Sequence, residues 1–305
     1  MPTHQGSIRL FRLFGIQVYL HWAWFLAIWY FVYQARGYTT PAWSVLECLS
    51  LFLIVLMHEF GHALACRQVG GKADQIVLWP LGGVAYVSPP QRPGAMLWSI
   101  AAGPLVNVLL FPPLTALALL ARHLGWDETS PDLFNYLMAL WFIDLVLLVF
   151  NLIPIYPLDG GQILRSLLWF IFGRARSLQI TTLIGFVGLA VMVPVVILAN
   201  QMWYYIVAAF VALNCWTGFR QAQAMMRIAS APRRAGYACP ACKTPPPQGP
   251  FWICGRCRMA FDTFFTRGFC PNCGTEYGAV LCPECGSLRP MSQWESFLDI
   301  PPKLN

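Results

Sequence analysis

The stretch Leu49-Ser50-Leu51-Phe52-Leu53-Ile54-Val55-Leu56-Met57-His58-Glu59-Phe60-Gly61-His62-Ala63-Leu64-Ala65 carries the reading of this chain. It is an apolar run whose only ionisable residues are two histidines and a glutamate in the pattern H-E-x-x-H. Drawn as a helix, it places His58 and His62 four residues apart on one face. Both imidazoles can then reach a single divalent ion at ~2.0–2.1 Å. Glu59 lies one position round, where it can act as a general base on water. Ionisable groups inside an apolar run are costly in lipid and point to function. The plainer alternative is a pair of hydrogen-bonded core histidines beside a buried acid.

The rest of the chain sets the surroundings of this run. Of 305 residues, 57% are hydrophobic and 11% charged, against about 45–50% and about 25% in soluble domains. That composition excludes an ordinary cytosolic globule and intrinsic disorder, and it leaves a polytopic membrane protein. Apolar runs at Gly15 to Ala35, 44–66, 96–121, 133–153, 180–199 and 202–218 are each long enough to cross ~30 Å of hydrocarbon. The expected fold is therefore all-α, with about six transmembrane helices. The first run resembles a signal peptide only superficially: it is longer than an h-region, and no convincing cleavage site follows.

With the N-terminus inside, cytosolic segments hold Arg9, Arg12, Arg67, Lys72, Arg92, Arg165, Arg174, Arg176, Arg220, Arg227, Arg233 and Arg234. The outer segments hold Arg36 and Arg122. This bias puts both termini in the cytosol. In that topology the second span runs inward, so His62 and His58 lie roughly 8 and 14 Å in from the cytosolic side.

A catalytic zinc usually has three protein ligands, and two histidines leave it one short. The fourth span also runs inward and ends in Asn151-Leu152-Ile153-Pro154-Ile155-Tyr156-Pro157-Leu158-Asp159-Gly160-Gly161. Asp159 thus reaches the same side of the bilayer as the histidines. Two prolines make this backbone non-helical, which at membrane depth requires burial or a wet cavity. The plainer alternative is a helix stop with a solvated acid.

Three motifs now stand in order on successive spans: His58 to His62, Gly103-Pro104-Leu105-Val106-Asn107, and Asn151 to Gly161. Together they resemble the site-2 protease family of intramembrane zinc metalloproteases, over roughly residues 1–225. The resemblance implies that His58, His62 and Asp159 ligate zinc and that Glu59 is the catalytic base. It also implies regulated cleavage of transmembrane or membrane-anchored substrates within or beside the bilayer, with Asn107 and Asn151 as substrate-binding candidates. Asn107 could equally be a polar tie between helices. The loop 72–92 reads as a β-hairpin turning at Gly82-Gly83. It serves either as an edge strand for an extended substrate or as a covering hairpin. Among the other polar residues, Asp144 and Glu47 are each either pathway or folding residues, with structural pairing the expected role, and His21 is an interfacial hydrogen-bonding residue or a rim ligand.

Residues 233–305 hold thirteen charges, twice the density of the body, with a net charge of +3. Eight of the eleven cysteines fall here as Cys239/Cys242, Cys254/Cys257, Cys270/Cys273 and Cys282/Cys285. Pairs of this kind make tetrahedral Cys₄ zinc sites, and a reducing cytosol disfavours disulfides. Pairing in sequence order is expected, with a crossed arrangement left open. The organisation is then a membrane metalloprotease domain over 1–229, a linker over 230–238, a double zinc ribbon over 239–288 and a tail over 289–305. The expected metals are one catalytic and two structural zinc ions. The expected partners are the lipid bilayer, a membrane protein substrate, and a cytosolic regulator or substrate docked on the ribbons. Nucleic acid does not fit so modest a charge. The setting is the plasma membrane of a prokaryote.

Overall fold

A computed structural model describes residues 6–26, 29, 37–79 and 82–294. The chain divides into two compact units, Met1–Phe219 and Arg220–Asn305.

The first unit is built on long helices: α1 (Pro41–Gln68), α2 (Pro93–His123), the single turn α3 (Trp126–Thr129), α4 (Pro131–Leu152) and α5 (Asp159–Ala199). A further helix, α6 (Met202–Ser230), crosses from this unit into the second. Helices α1, α2 and α4 begin with proline at their first turn, where its missing N–H costs nothing and its fixed φ suits the helix. Helix α5 breaks at Gly173, whose φ of 76° and ψ of 171° interrupt the helical path. Helices α1, α2, α4 and α5 are long and apolar enough to cross a bilayer, and α6 is not among them.

The count among the described residues is therefore four, against the expected six. One cause is plain at the start of the chain. Gly15 to Ala35 was expected as the first span, yet Ile16–His21 is a strand, β2, paired antiparallel with β1 (Ser7–Leu13). Ile16 and Val18 are fully buried. The segment I-Q-V-Y-L-H alternates with period two, the signature of a strand, and it happens to adjoin further apolar residues. Residues 27–28 and 30–35 of that expected span lie outside the described residues.

Strand β2 pairs parallel with β3 (Lys72–Trp79), which pairs antiparallel with β4 (Gly82–Ser88), giving the order β1-β2-β3-β4. The expected hairpin is thus half of a four-stranded sheet. Gly82 and Gly83 are not its turn but strand residues, opposite Trp79 and Leu78. One sheet face packs on α1: Ile16, Val18, Ala73, Ile76 and Leu78 join Cys48, Val55, Leu56, Phe60, Ala63 and Cys66 in one buried cluster. Arg67, in the last turn of α1, ties the β1–β2 turn down by donating to the carbonyls of Phe14 and Gly15.

The second unit has little regular structure: hairpins β5–β6 (Trp252–Ile253, Ala260–Phe261) and β7–β8 (Ala279–Leu281, Leu288–Pro290), then a 3₁₀ turn over Met291–Trp294. Trp252 packs against both of its small cores. Part of the stretch read as a linker is tied in here. Arg233 pairs with Glu284, and Arg234 with Asp262, each at 2.7 Å.

Candidate metal centre and active site

Helix α1 carries His58, Glu59 and His62 at its buried middle. Helix α2 crosses against them at Gly103. A Cβ there would run into His62 Nε2 and stand 2.8 Å from His58 Nε2. The glycine therefore lets the helix backbone come up to the imidazoles, the role small residues play between membrane helices.

The third element is the turn between α4 and α5. Its non-helical backbone is half-buried and partly satisfied by side chains: the Cys215 thiol donates to the carbonyl of Tyr156 at 2.9 Å, and Gln162 to that of Pro157 at 3.0 Å. Two of the carbonyls freed from helical bonding are thereby paired inside the protein. Asp159 then opens α5, where helix-end amides favour a carboxylate.

These elements bring His58, His62 and Asp159 together. His58 Nε2 lies 3.0 Å from Asp159 Oδ2 and 3.1 Å from His62 Nε2, and His62 Nε2 lies 3.3 Å from the same carboxylate oxygen. Two ligands at ~2.0–2.1 Å from a tetrahedral ion stand about 3.3 Å apart, so the three atoms occupy one face of such a coordination shell. The donor chemistry agrees. His58 Nδ1 is 2.6 Å from the amide oxygen of Asn107, and His62 Nδ1 is 2.9 Å from the carbonyl of Ser99. Each ring therefore donates its Nδ1–H and turns the Nε2 lone pair inward. Two lone pairs and a carboxylate facing one another are reconciled by a cation, so these residues fit zinc.

Glu59 is buried beside them and faces β4, not open solvent. Its Oε2 accepts the Ala85 N–H at 2.9 Å. A Cβ on Gly83 would overlap Glu59 Cγ and lie 2.5 Å from Oε1, so the strand can cover the acid only as glycine. Sequence reasoning named Gly83 only as part of a turn and Gly103 only as the first residue of a motif, and gave neither a role in the site. The signal available was a glycine pair in a strand and a glycine one residue before a helix proline.

Asn107, read as a substrate-binding candidate, is fully buried, with both ends of its amide engaged inside the protein. The oxygen meets His58 Nδ1, and the nitrogen donates to Asp144 Oδ1 at 2.7 Å. Asn151 sits half-buried in the last turn of α4. His21 stacks on Trp79 with ring centroids 3.7 Å apart. Glu47 accepts from Tyr38 at 2.6 Å.

The eight cysteines of the second unit form two clusters: Cys239, Cys242, Cys282 and Cys285, and Cys254, Cys257, Cys270 and Cys273. The pairing is nested, not in sequence order as expected. The chain between the two central pairs is a short excursion that closes on itself, and the outer pairs meet once it has returned. Sulfur separations of 3.8 and 3.7 Å in the outer cluster, and 3.5 and 3.6 Å in the inner one, approach the ~3.8 Å edge of a Zn–S tetrahedron. The Cys254 thiol is lowered to about 5, chiefly by the backbone N–H of Cys257 and then by the Tyr277 hydroxyl, which lies 3.2 Å from its sulfur. Such thiolate character suits a metal ligand.

A His–His–Asp cluster with a buried glutamate, held between apolar helices under a sheet, defines a membrane metallopeptidase type of centre. The chain matches the model of peptidase family M50 over residues 47–125 and 120–195. It is 35% identical over 179 residues to a zinc metalloprotease of Methanocaldococcus jannaschii, covering 59% of this chain and 50% of that protein. It is 30% identical over 194 residues to stage IV sporulation protein FB of Bacillus subtilis, covering 62% of this chain and 64% of that protein. The solved structure of a site-2 protease from M. jannaschii superposes with a TM-score of 0.50 at 27% identity, over 70% of this chain and 95% of that one. The chain belongs to the M50, or site-2 protease, family. With its apolar helices it is an integral membrane protein. It spans half the length of the first of these relatives and 64% of the second.

Proposed function

We propose that this chain is a zinc endopeptidase that hydrolyses peptide bonds of transmembrane or membrane-anchored proteins within or beside the bilayer, as a step of regulated intramembrane proteolysis. The observation that carries the reading is the convergence of His58 Nε2, His62 Nε2 and Asp159 Oδ2 within 3.3 Å of one another next to a buried Glu59. Those three residues hold the metal. When bound, zinc supplies Lewis-acid polarisation of the scissile carbonyl and a lowered pKa for water. Glu59 is fixed through Oε2 by Ala85, which leaves Oε1 to take a proton from the attacking water and return it to the leaving amine. Gly83 leaves space for that oxygen. Strand β4 is at the edge of the sheet, so an extended substrate can add to it by main-chain pairing. Asn151 is retained as a substrate-facing candidate.

The tail holds two further zinc ions in Cys₄ sites and serves as a docking module for a cytosolic regulator or for the substrate. Both termini are cytosolic, in a prokaryotic plasma membrane. Glu59→Gln, assayed in detergent against a co-expressed membrane substrate, should lower cleavage by at least about 100-fold while zinc content stays unchanged. Undiminished cleavage rejects Glu59 as the base.

A further inference from the structure

Asp144 lies within apolar α4 and is fully buried. Its Oδ1 accepts from Asn107 Nδ2 at 2.7 Å, and its Oδ2 has no hydrogen-bond partner among the described residues. Asn107, from α2, passes the contact on to His58 of α1 at 2.6 Å. Three helices are thus joined by one line of side chains ending on a metal-site imidazole. A buried charge in such a span is expensive, and a mere tie between helices could be made by any polar pair. What an ionised carboxylate adds is that it only accepts. Asn107 must therefore turn its NH₂ towards Asp144 and its oxygen towards His58. His58 must then carry its proton on Nδ1 and keep the Nε2 lone pair free.

We propose that Asp144 is a positioning residue that fixes the tautomer of His58 through the amide of Asn107, and so sets the metal affinity of the site. This rests on the zinc reading above. Outer partners of ligand histidines commonly change metal affinity by ~10–100-fold. Here the outer partner acts through one intervening amide whose direction it dictates. Asp144→Asn keeps the shape but removes the constraint, because the new amide both donates and accepts. Asn107 can then turn round and present its NH₂ to His58 Nδ1, which drives the proton onto Nε2. Adding Asn107→Asp reverses the pair: the carboxylate at 107 accepts from His58 and from the amide at 144 together.

The test uses the full chain in detergent, with its tail cysteines pre-loaded with zinc, titrated with Co²⁺ and followed by the visible absorption of a nitrogen–oxygen site. Asp144→Asn should weaken Co²⁺ binding by ~10–100-fold, and the double variant Asp144→Asn/Asn107→Asp should restore it. Unchanged affinity in the single variant, or a double variant as weak as the single, overturns the proposal. If the single variant does not fold, the double variant decides alone: recovery of wild-type affinity supports the relay and failure overturns it. A wild-type chain with no nitrogen–oxygen cobalt signal rejects the metal reading itself.

Discussion

Gly103 leaves no room for a methyl group, because His62 Nε2 occupies the place a Cβ would take. Gly103→Ala should therefore push an imidazole out of the three-atom cluster and lower zinc retention at this site by at least about tenfold, read as metal content after dialysis against a graded chelator. Gly83→Ala acts on Glu59 instead. It should cut peptide hydrolysis strongly while leaving zinc content at the wild-type level, since the added carbon meets the acid and not the ligands. The convergence of His58, His62 and Asp159 beside Glu59 was legible because ionisable groups in an apolar run have few uses and the spacing of the two histidines suits one ion. The surrounding support was not. Nothing along the chain tells that Asp144 and Asn107 meet, because they lie on different helices and each alone resembles an ordinary buried polar residue.

At the scale of elements, β2 and the cysteine nest show where local pattern stops deciding. Ile16–His21 alternates like a strand, but it opens an apolar run, Gly15 to Ala35, that is as long as a membrane span. Parallel pairing with β3 decides between them, and that contact spans more than fifty residues. The cysteine spacings are compatible with either pairing, since each C-x-x-C knuckle is locally the same. Alkylation of Cys239→Ser tests the nest directly: Cys242, Cys282 and Cys285 should become labelled while Cys254 and Cys257 stay protected. Labelling of Cys254 and Cys257 in place of the last pair would restore the sequential order. Asp262 supports the same unit. It accepts from Phe264 and Phe265 on one oxygen and from Arg234 and Gly249 on the other. Asp262→Ala should destabilise the tail by about 3 kcal/mol, measured by denaturant unfolding with zinc present.

For the whole molecule, the proposed reading gives metal two different jobs. A strong chelator should abolish hydrolysis through the membrane centre and unfold the tail, whose cores are small and owe half of their buried residues to the cysteines themselves. Loss of near-ultraviolet circular dichroism from the tail tryptophans, recovered on adding zinc back, would report the second job. Deleting residues 233–305 should leave one zinc per chain and an altered range of cleaved substrates. Normal processing of every substrate would assign the tail a passive role.

The nested arrangement also fixes a schedule. As the ribosome delivers the chain, Cys273 emerges with the inner quartet already complete, whereas Cys239 and Cys242 wait for Cys282 and Cys285 twelve residues later. On the proposed two-ion reading, the inner knot can load its ion while the outer thiols are still idle, and its closure shortens the free loop that the outer thiols must bridge. A nascent chain halted between these two points would hold one filled site and two cysteines available to competing metals or oxidants.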